Sequence, residues 1–313
     1  MQANMGMAGE FRVVVKRADG STKIDTGYQK NLILNQGFNF FGGGNGSDMM
    51  AYCVIGSGNS QPSYTQNKLD VAVAGINGFP YSFKYDYDVS RDGNLYKVNR
   101  VNKYSFNNLN NVNISEVGLA STYSSTSNYY LCTRALIKDV TGNPTTITVL
   151  SGEILEIYYK LWAVFDTTDK TGQINLLDGV GGSVAYNYVL SLMKVGDRDV
   201  YSSAVGFMLS ESMTQYFYSG DKTSITGTPS NTLFQASTGR LSSYVKDSYK
   251  IVFTFNVGIS QANGAIKTYG LINMGAYQIR FGSVVNDSPI TKTNTQTLSI
   301  PVELSWGRYE GAL

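Results

Sequence analysis

The 313-residue chain contains no histidine. That removes Ser-His-Asp and Cys-His catalysis, histidine general bases, histidine metal ligands and histidine pH switches together. Its two cysteines, Cys53 and Cys132, are too few for a disulfide framework or a four-thiolate zinc site. Two readings stand for them: buried free thiols in a protein folded in a reducing compartment, or one Cys53–Cys132 bridge. Charged residues make up 15% of the chain, against about 25% in an average soluble protein. The 25 Lys and Arg nearly balance the 23 Asp and Glu, leaving a net charge of +2. Neither a nucleic-acid-binding field nor an acidic tail is written here, so no nucleic-acid partner is expected. No apolar run reaches about 18 residues, so no spanning helix and no membrane insertion are expected. The first residues carry no basic stretch followed by an apolar one, so no signal peptide is expected.

What is present is glycine (33), tyrosine (23) and phenylalanine (14), arranged with a period of two. Leu155, Ile157, Tyr159 and Leu161 alternate with Glu156, Tyr158 and Lys160. Ile251, Phe253, Phe255, Val257 and Ile259 share one face, as do Leu298, Ile300, Val302 and Leu304. Near the start, Phe11, Val13 and Val15 face away from Arg12 and Lys16. Such alternation predicts strands with one buried side. Asp19-Gly20, Asp92-Gly93 and Asn263-Gly264 supply the residues that tight hairpin turns need. The pattern predicts an all-β chain of antiparallel β-sandwich or jelly-roll-like domains. Pro301 cannot donate to a ladder, so its strand is expected at an edge or with a bulge. One or two helical turns are expected within 31–41, weakened by Gly37.

The chain also repeats weakly. Gly118-Leu119 and Gly270-Leu271 lie 152 residues apart, and Leu155 and Leu298 lie 143 apart. The only two tryptophans, Trp162 and Trp306, close the corresponding strands. This predicts two related domains, 1–166 and 173–313, divided at the polar stretch 166–172.

No motif carries catalysis. The stretch 42–47 lacks the Gly-Lys-Ser/Thr of a P-loop, and Gly56-Ser57-Gly58-Asn59 lacks the third glycine of a dinucleotide fingerprint. Asp86, Asp88 and Asp92 are misplaced for a calcium loop and read better as a hairpin, 82–89 up and 95–106 down. Two carboxylates suffice for a glycosidase, but no pair stands out among 23 acids. No catalytic, cofactor-binding or metal-binding residue is assigned, no cofactor is expected, and no enzymatic turnover is expected. Tyr123, Tyr129, Tyr130, Tyr216 and Tyr218 lie in polar stretches, where tyrosine suits protein interfaces and sugar stacking alike. With the strand carrying Phe11, Val13 and Val15, expected to be shared with a neighbouring subunit, they are the interface candidates.

Several segments resemble a family of tailed-bacteriophage virion proteins, the tail fibre and tail appendage proteins. One is Gly27-Tyr-Gln-Lys-Asn-Leu-Ile-Leu-Asn-Gln-Gly37-Phe38. Another is Cys53-Val-Ile-Gly-Ser-Gly-Asn-Ser-Gln-Pro62 with Thr65-Gln-Asn-Lys-Leu69. A third is Asn113-Ile-Ser-Glu-Val-Gly118, continuing through Thr133-Arg-Ala-Leu-Ile137 to Glu153-Ile-Leu155. Ser288-Pro-Ile-Thr-Lys-Thr293 and Leu304-Ser-Trp-Gly-Arg308 resemble the closing strands of the same proteins. The resemblance covers 10–165 and the last 60 residues. It implies a homo-oligomeric structural part of a virion tail, made in the host cytoplasm and contacting other phage tail proteins. A short fibre, appendage, collar or tail-tip part fits, with a contribution to host attachment through a surface receptor or glycan. A receptor- or glycan-binding tip is the alternative, and a polysaccharide depolymerase a more distant one.

Overall fold

The computed structural model describes residues 1–43, 49–78, 89–177, 181–196, 214–237 and 243–313. The Asp86 and Asp88 positions, the outgoing arm of the expected hairpin at 82–88, and most of the glycine-rich stretch at 44–47 lie outside those residues. The described chain is all-β, with one helix.

The chain divides into two compact units. An N-terminal unit holds residues 6–90, 97–164 and 306–313, and a C-terminal unit holds 1–5, 91–96 and 165–305. The longest segments of the two units meet in the sequence between Val164 and Phe165, next to the stretch 166–172. That polar stretch is no linker. One strand ends at Asp166 and the next begins at Lys170, joined by a turn in which Asp166 Oδ1 accepts from Thr168 N at 2.9 Å.

The first elements are β1 (Gln2–Lys16), β2 (Thr22–Asp25), β3 (Gln29–Ile33), α1 (Asn35–Gly43), β4 (Tyr52–Gly56), β5 (Ala72–Asn77), β6 (Val89–Asp92) and β7 (Leu95–Phe106). Then come β8 (Val112–Ile114), β9 (Glu116–Tyr123), β10 (Tyr129–Leu131), β11 (Thr133–Leu136), β12 (Ile147–Val149) and β13 (Ile154–Asp166). In the N-terminal unit the main sheet runs β5-β4-β9-β11-β3-β1-β13-β7, with β8 and β12 paired separately. Alternate residues of β13 (Leu155, Ile157, Tyr159, Leu161) are buried to 1% exposure or less, as the period-two pattern requires. Helix α1 contains Gly37, and a Cβ there would collide with the carbonyl of Cys132. The glycine that costs helix propensity is thus the residue that lets the helix approach β11.

Strand β1 overturns one expectation. Phe11, Val13 and Val15 are fully buried. On one side they lie opposite Tyr159, Ile157 and Leu155 of β13. On the other, Phe11 lies opposite Gln29 of β3 and Val15 opposite Ile24 of β2. A strand paired along both sides has no free edge to lend to a neighbour, and its three apolar side chains are core.

The remaining elements are β14 (Lys170–Leu177), β15 (Ser183–Leu192), β16 (Thr214–Tyr218), β17 (Thr232–Ser237), β18 (Lys250–Val257), β19 (Gly264–Ile266), β20 (Thr268–Ile272), β21 (Ala276–Ser283), β22 (Ile290–Lys292) and β23 (Leu298–Arg308). The C-terminal unit contains a six-stranded sheet, β14-β15-β21-β20-β16-β17, the pair β19–β22, and β18 against β23. Pro301 lies opposite Thr254 of β18.

The two units are built on one plan. The order β1-β3-β11-β9-β4-β5 matches β14-β15-β21-β20-β16-β17 strand for strand, and β8–β12 matches β19–β22. The register agrees in detail. Gly118 faces Val54 of β4, and Gly270 faces Tyr216 of β16. Both hairpins, β4–β5 and β16–β17, shift register before the last residue of the first strand. The turn before β13 is clasped by Leu150 N→Glu153 Oε2 and Glu153 N→Leu150 O, and the turn before β23 by Thr293 N→Gln296 Oε1 and Gln296 N→Thr293 O. This sets Leu155 against Leu298, as the sequence spacing suggested. The tryptophans, however, fall one residue out of step: Trp162 matches Ser305, and Trp306 matches Ala163.

Candidate functional site

The first three segments that carry the resemblance lie in the N-terminal unit. A lone acid in β9 and a lone base in β11 point inward from otherwise uncharged strands, and both Glu116 and Arg134 are fully buried. Arg134 Nε donates to Glu116 Oε2 at 2.9 Å, and its Nη2 donates to Asp70 Oδ2 at 2.8 Å and to Ser60 O at 3.1 Å. Glu116 Oε1 in turn accepts from the backbone N–H of Gly58 and of Val71, each at 3.0 Å. Asp70 accepts from Ser60 N and Ser60 Oγ, both at 2.8 Å. Burial works to raise the Asp70 carboxyl, but the Ser60 hydrogen bonds and the Arg134 charge outweigh it and hold its pKa below the usual carboxylate range.

Two glycines make room for this network. A Cβ on Gly56 would lie 2.5 Å from Glu116 Oε1 and 2.6 Å from the Val71 carbonyl, and one on Gly58 would collide with Asp70. Charges buried in this way stay stable only when paired and hydrogen-bonded, as they are here. The network fixes the loop 57–71, which connects β4 to β5. The far side of the loop is held too: Asn35 N donates to Tyr64 O at 2.9 Å, and the Arg308 guanidinium lies 3.9 Å from the centre of the Tyr64 ring. The outcome is a rigid loop whose 59–67 part exposes Asn59, Gln61, Ser63, Tyr64, Thr65 and Asn67, polar side chains without charge around one aromatic ring.

The tyrosine candidates fall into separate places. Tyr129 is buried, accepts at its hydroxyl from Leu69 N at 2.9 Å, and lies 3.8 Å below the Lys68 ammonium. Burial raises its pKa. Half-buried Tyr123 stacks beside it, ring centres 6.2 Å apart, and continues to Tyr52 at 6.2 Å. The ring of Tyr123 covers Gly75 on β5, where a Cβ would collide with it. Half-buried Tyr130 donates its hydroxyl to Gln36 O at 3.0 Å. In the C-terminal unit, Tyr216 and Tyr218 stack at 5.8 Å, and burial pushes Tyr218 up to about 12. Tyr129 and Tyr218 are therefore packing residues, too covered to meet a partner, whereas Tyr123, Tyr130 and Tyr216 keep part of their surface. Phe11, Val13 and Val15 lie in the core, as described above.

Both cysteines are free and buried, which leaves the bridged reading aside. They lie on strands flanking β9: Cys53 is opposite Leu119, and Cys132 N donates to Leu119 O at 2.7 Å. Among the described residues no group of three or more Cys, Asp or Glu is arranged to hold a metal ion. No helix among them is long and apolar enough to cross a membrane. No protein-family model matches the chain, and neither a curated protein nor a solved structure matches it.

Proposed function

We propose that this chain is a structural component of a bacteriophage tail, present in several copies and joined to other tail proteins. The observation that carries the reading is the convergence just described. Ser60 comes from one segment that resembles tail appendage proteins and Glu116 and Arg134 from another, and they close one buried network. The chemistry of that network is spent on holding a loop, with its carboxylate oxygens engaged by backbone N–H groups, Ser60 and Arg134. A rigid scaffold presenting polar side chains without charge suits repeated contacts in an assembled particle. The resemblance extends the proposal to a short fibre, appendage, collar or tail-tip part, with Tyr64 on the stapled loop available to a host receptor or glycan.

Gold-labelled antibody against this protein, applied to negatively stained particles, tests the reading. Label at one fixed level of the tail is expected; particles that carry none overturn it. Binding of the purified protein to host cells separates an attachment part from a purely internal one. Release of reducing ends from host surface glycan by the pure protein, lost when a carboxylate pair is changed to amides, would establish a depolymerase instead.

A further inference from the structure

The two units share a plan but differ at one seam. In the N-terminal unit β1 is zipped to β13, with Arg12 opposite Tyr158 and Val15 opposite Leu155. The matching strands of the C-terminal unit, β14 and β23, do not pair. Pro301 stands where Tyr158 stood, three residues past the matched leucine. One side of β23 is taken up by β18. On the other, Glu303 N donates to Met1 O at 2.8 Å. N–H groups two residues apart on a strand turn to the same side, so Pro301 would offer an N–H to the seam and has none. A ladder along this side of β23 is broken there. A groove of about 570 Å³ stays open between β14 and β23. That is a size at which pockets hold small ligands, about 300–1,000 Å³.

The groove has apolar walls, Leu176 and Val184 on one side and Ile290 and Leu298 on the other. Among them lies Tyr186, 8% exposed, whose hydroxyl has no hydrogen-bond partner among the described residues. A polar group so covered is ordinarily paired. Gln296 is held by its oxygen, Oε1 accepting from Thr293 N at 3.0 Å and from Thr293 Oγ1 at 3.2 Å. Its Nε2, like the side-chain amide of Asn175 on the β14 side, has no partner among the described residues. The one charged residue lining the groove, Lys292, is 3% exposed. Its ammonium is turned to Asn263 Oδ1 at 2.9 Å and to Ile259 O at 3.3 Å.

This lining discriminates between occupants. An ionic ligand would give up its water and find no counter-charge. A hydrocarbon would cover the Tyr186 hydroxyl and the two amides without pairing them. A further β-strand would meet the break at Pro301. A sugar ring satisfies every part of the groove: it is uncharged, its hydroxyls donate and accept, and its C–H faces pack on aliphatic and tyrosine side chains. We propose that the β14–β23 groove binds an uncharged glycan, with Tyr186, Gln296 and Asn175 as its hydrogen-bonding contacts. The site belongs to the C-terminal unit and the Tyr64 loop to the N-terminal one, and glycan binding here does not depend on the tail reading.

An array tests this. It carries neutral oligosaccharides of glucose, galactose, mannose, rhamnose and N-acetylhexosamines beside acidic ones of uronic and sialic acids, and it is probed with the full chain. Retention on neutral members is expected, and the best of them is then titrated as the free oligosaccharide by saturation-transfer NMR. Tyr186→Phe is expected to weaken that binding about tenfold. Its thermal midpoint should stay level or rise, because the lost hydroxyl bonds to nothing in the protein. Thr297→Trp, which fills the groove from its rim, should abolish binding. Retention on acidic members alone, retention on none, or a Tyr186→Phe midpoint that falls overturns the site. So does binding that survives both groove variants, and its loss with Tyr64→Ala would then place the sugar on the 57–71 loop. Tail labelling that persists alongside any of these results would leave the proposed function standing and the groove refuted.

Discussion

Replacing Arg134 by Met isolates what the buried network contributes. The guanidinium is fully buried, and Glu116 beside it is fully buried as well. Met keeps much of the volume but removes the cation, so Glu116 is left charged, with only the N–H groups of Gly58, Asp70 and Val71. Breaking a buried pair from one side costs about 3–5 kcal/mol, because the surviving charge is stranded. Asp70 loses its partner too, but its side chain is 28% exposed, so water softens that part. At about 2–4 °C per kcal/mol for a unit of this size, the transition of the N-terminal unit should fall by about 6–20 °C. Calorimetry at about pH 8 and about pH 4 reads the effect. In the wild type the depressed Asp70 carboxyl contributes stability above its unfolded pKa and loses it as pH falls. The variant has no such contribution to lose, so the gap between the two proteins narrows at low pH. Adding Glu116→Gln should recover part of the loss at pH 8. A deficit under about 1 kcal/mol, or one equal at both pH values, refutes the claim that charge pairing holds this loop.

Other perturbations separate further parts of the fold. Gly37→Ala should destabilise by about 1–3 kcal/mol, measured by urea unfolding, because the methyl group meets the Cys132 backbone. Phe11→Ala should cost about 3–5 kcal/mol, and removal of residues 1–17 should leave no folded N-terminal unit by near-UV circular dichroism; a folded, soluble remainder would contradict the central place of β1. Asp25, paired with Arg12 at the surface, has its pKa lowered to about 2, so its contribution is present above about pH 4 and lost between there and about pH 2. Because both side chains are 36% exposed, Asp25→Asn should cost under about 1 kcal/mol at neutral pH and nothing below pH 2. Cys53, whose pKa burial raises, and Cys132 should be silent to a thiol reagent in the native protein and react together on unfolding; fast reaction of either would contradict their burial.

Much of the strand content was legible because burial on one face leaves a mark at every second residue. The runs at Leu155–Leu161, Ile251–Val257 and Leu298–Leu304 became β13, β18 and β23 with the expected faces inward, but Ile259, expected on the same face, lies beyond the end of β18 and is 55% exposed. Lateral pairing left no such mark. Main-chain hydrogen bonds are the same for every residue type but proline, so the alternation of Phe11, Val13 and Val15 gave their face and not their neighbours. That is why a strand near the start of the chain read as an edge when it is flanked on both sides. The tyrosines misled for a related reason. Polar neighbours suggested exposure, but Tyr129 follows exposed Asn128 and turns inward, and Tyr218 is buried next to buried Phe217. The Arg134–Glu116 pair had a signal that went unused: each is a single charge inside an otherwise uncharged strand, and two opposite charges of that kind are best buried together.

The comparison of the two units separates what the plan requires from what each copy adds. Register sets Arg134, opposite Leu32 of β3, against Gln278, opposite Ser191 of β15. Both are fully buried, and both reach the loop that follows the register shift in the adjoining hairpin. Arg134 donates to Ser60 O, while Gln278 Nε2 donates to Leu192 O and Thr223 O, each at 3.0 Å, and its Oε1 accepts from Thr223 N at 3.0 Å. The loop has to turn back over the sheet, and its backbone groups would be buried without partners unless a side chain met them. A polar residue is therefore needed at this position of the plan in either unit. Its charge is not needed, since a neutral amide does the same work without the desolvation of an ion. The charged version in the N-terminal unit draws in Glu116 and Asp70 and fixes the loop at more points. It thereby gives the loop bearing Tyr64 a stiffer mounting than its counterpart around Thr223, and that difference, in one of two otherwise matching loops, makes it the better candidate for a surface that must hold its shape against a partner.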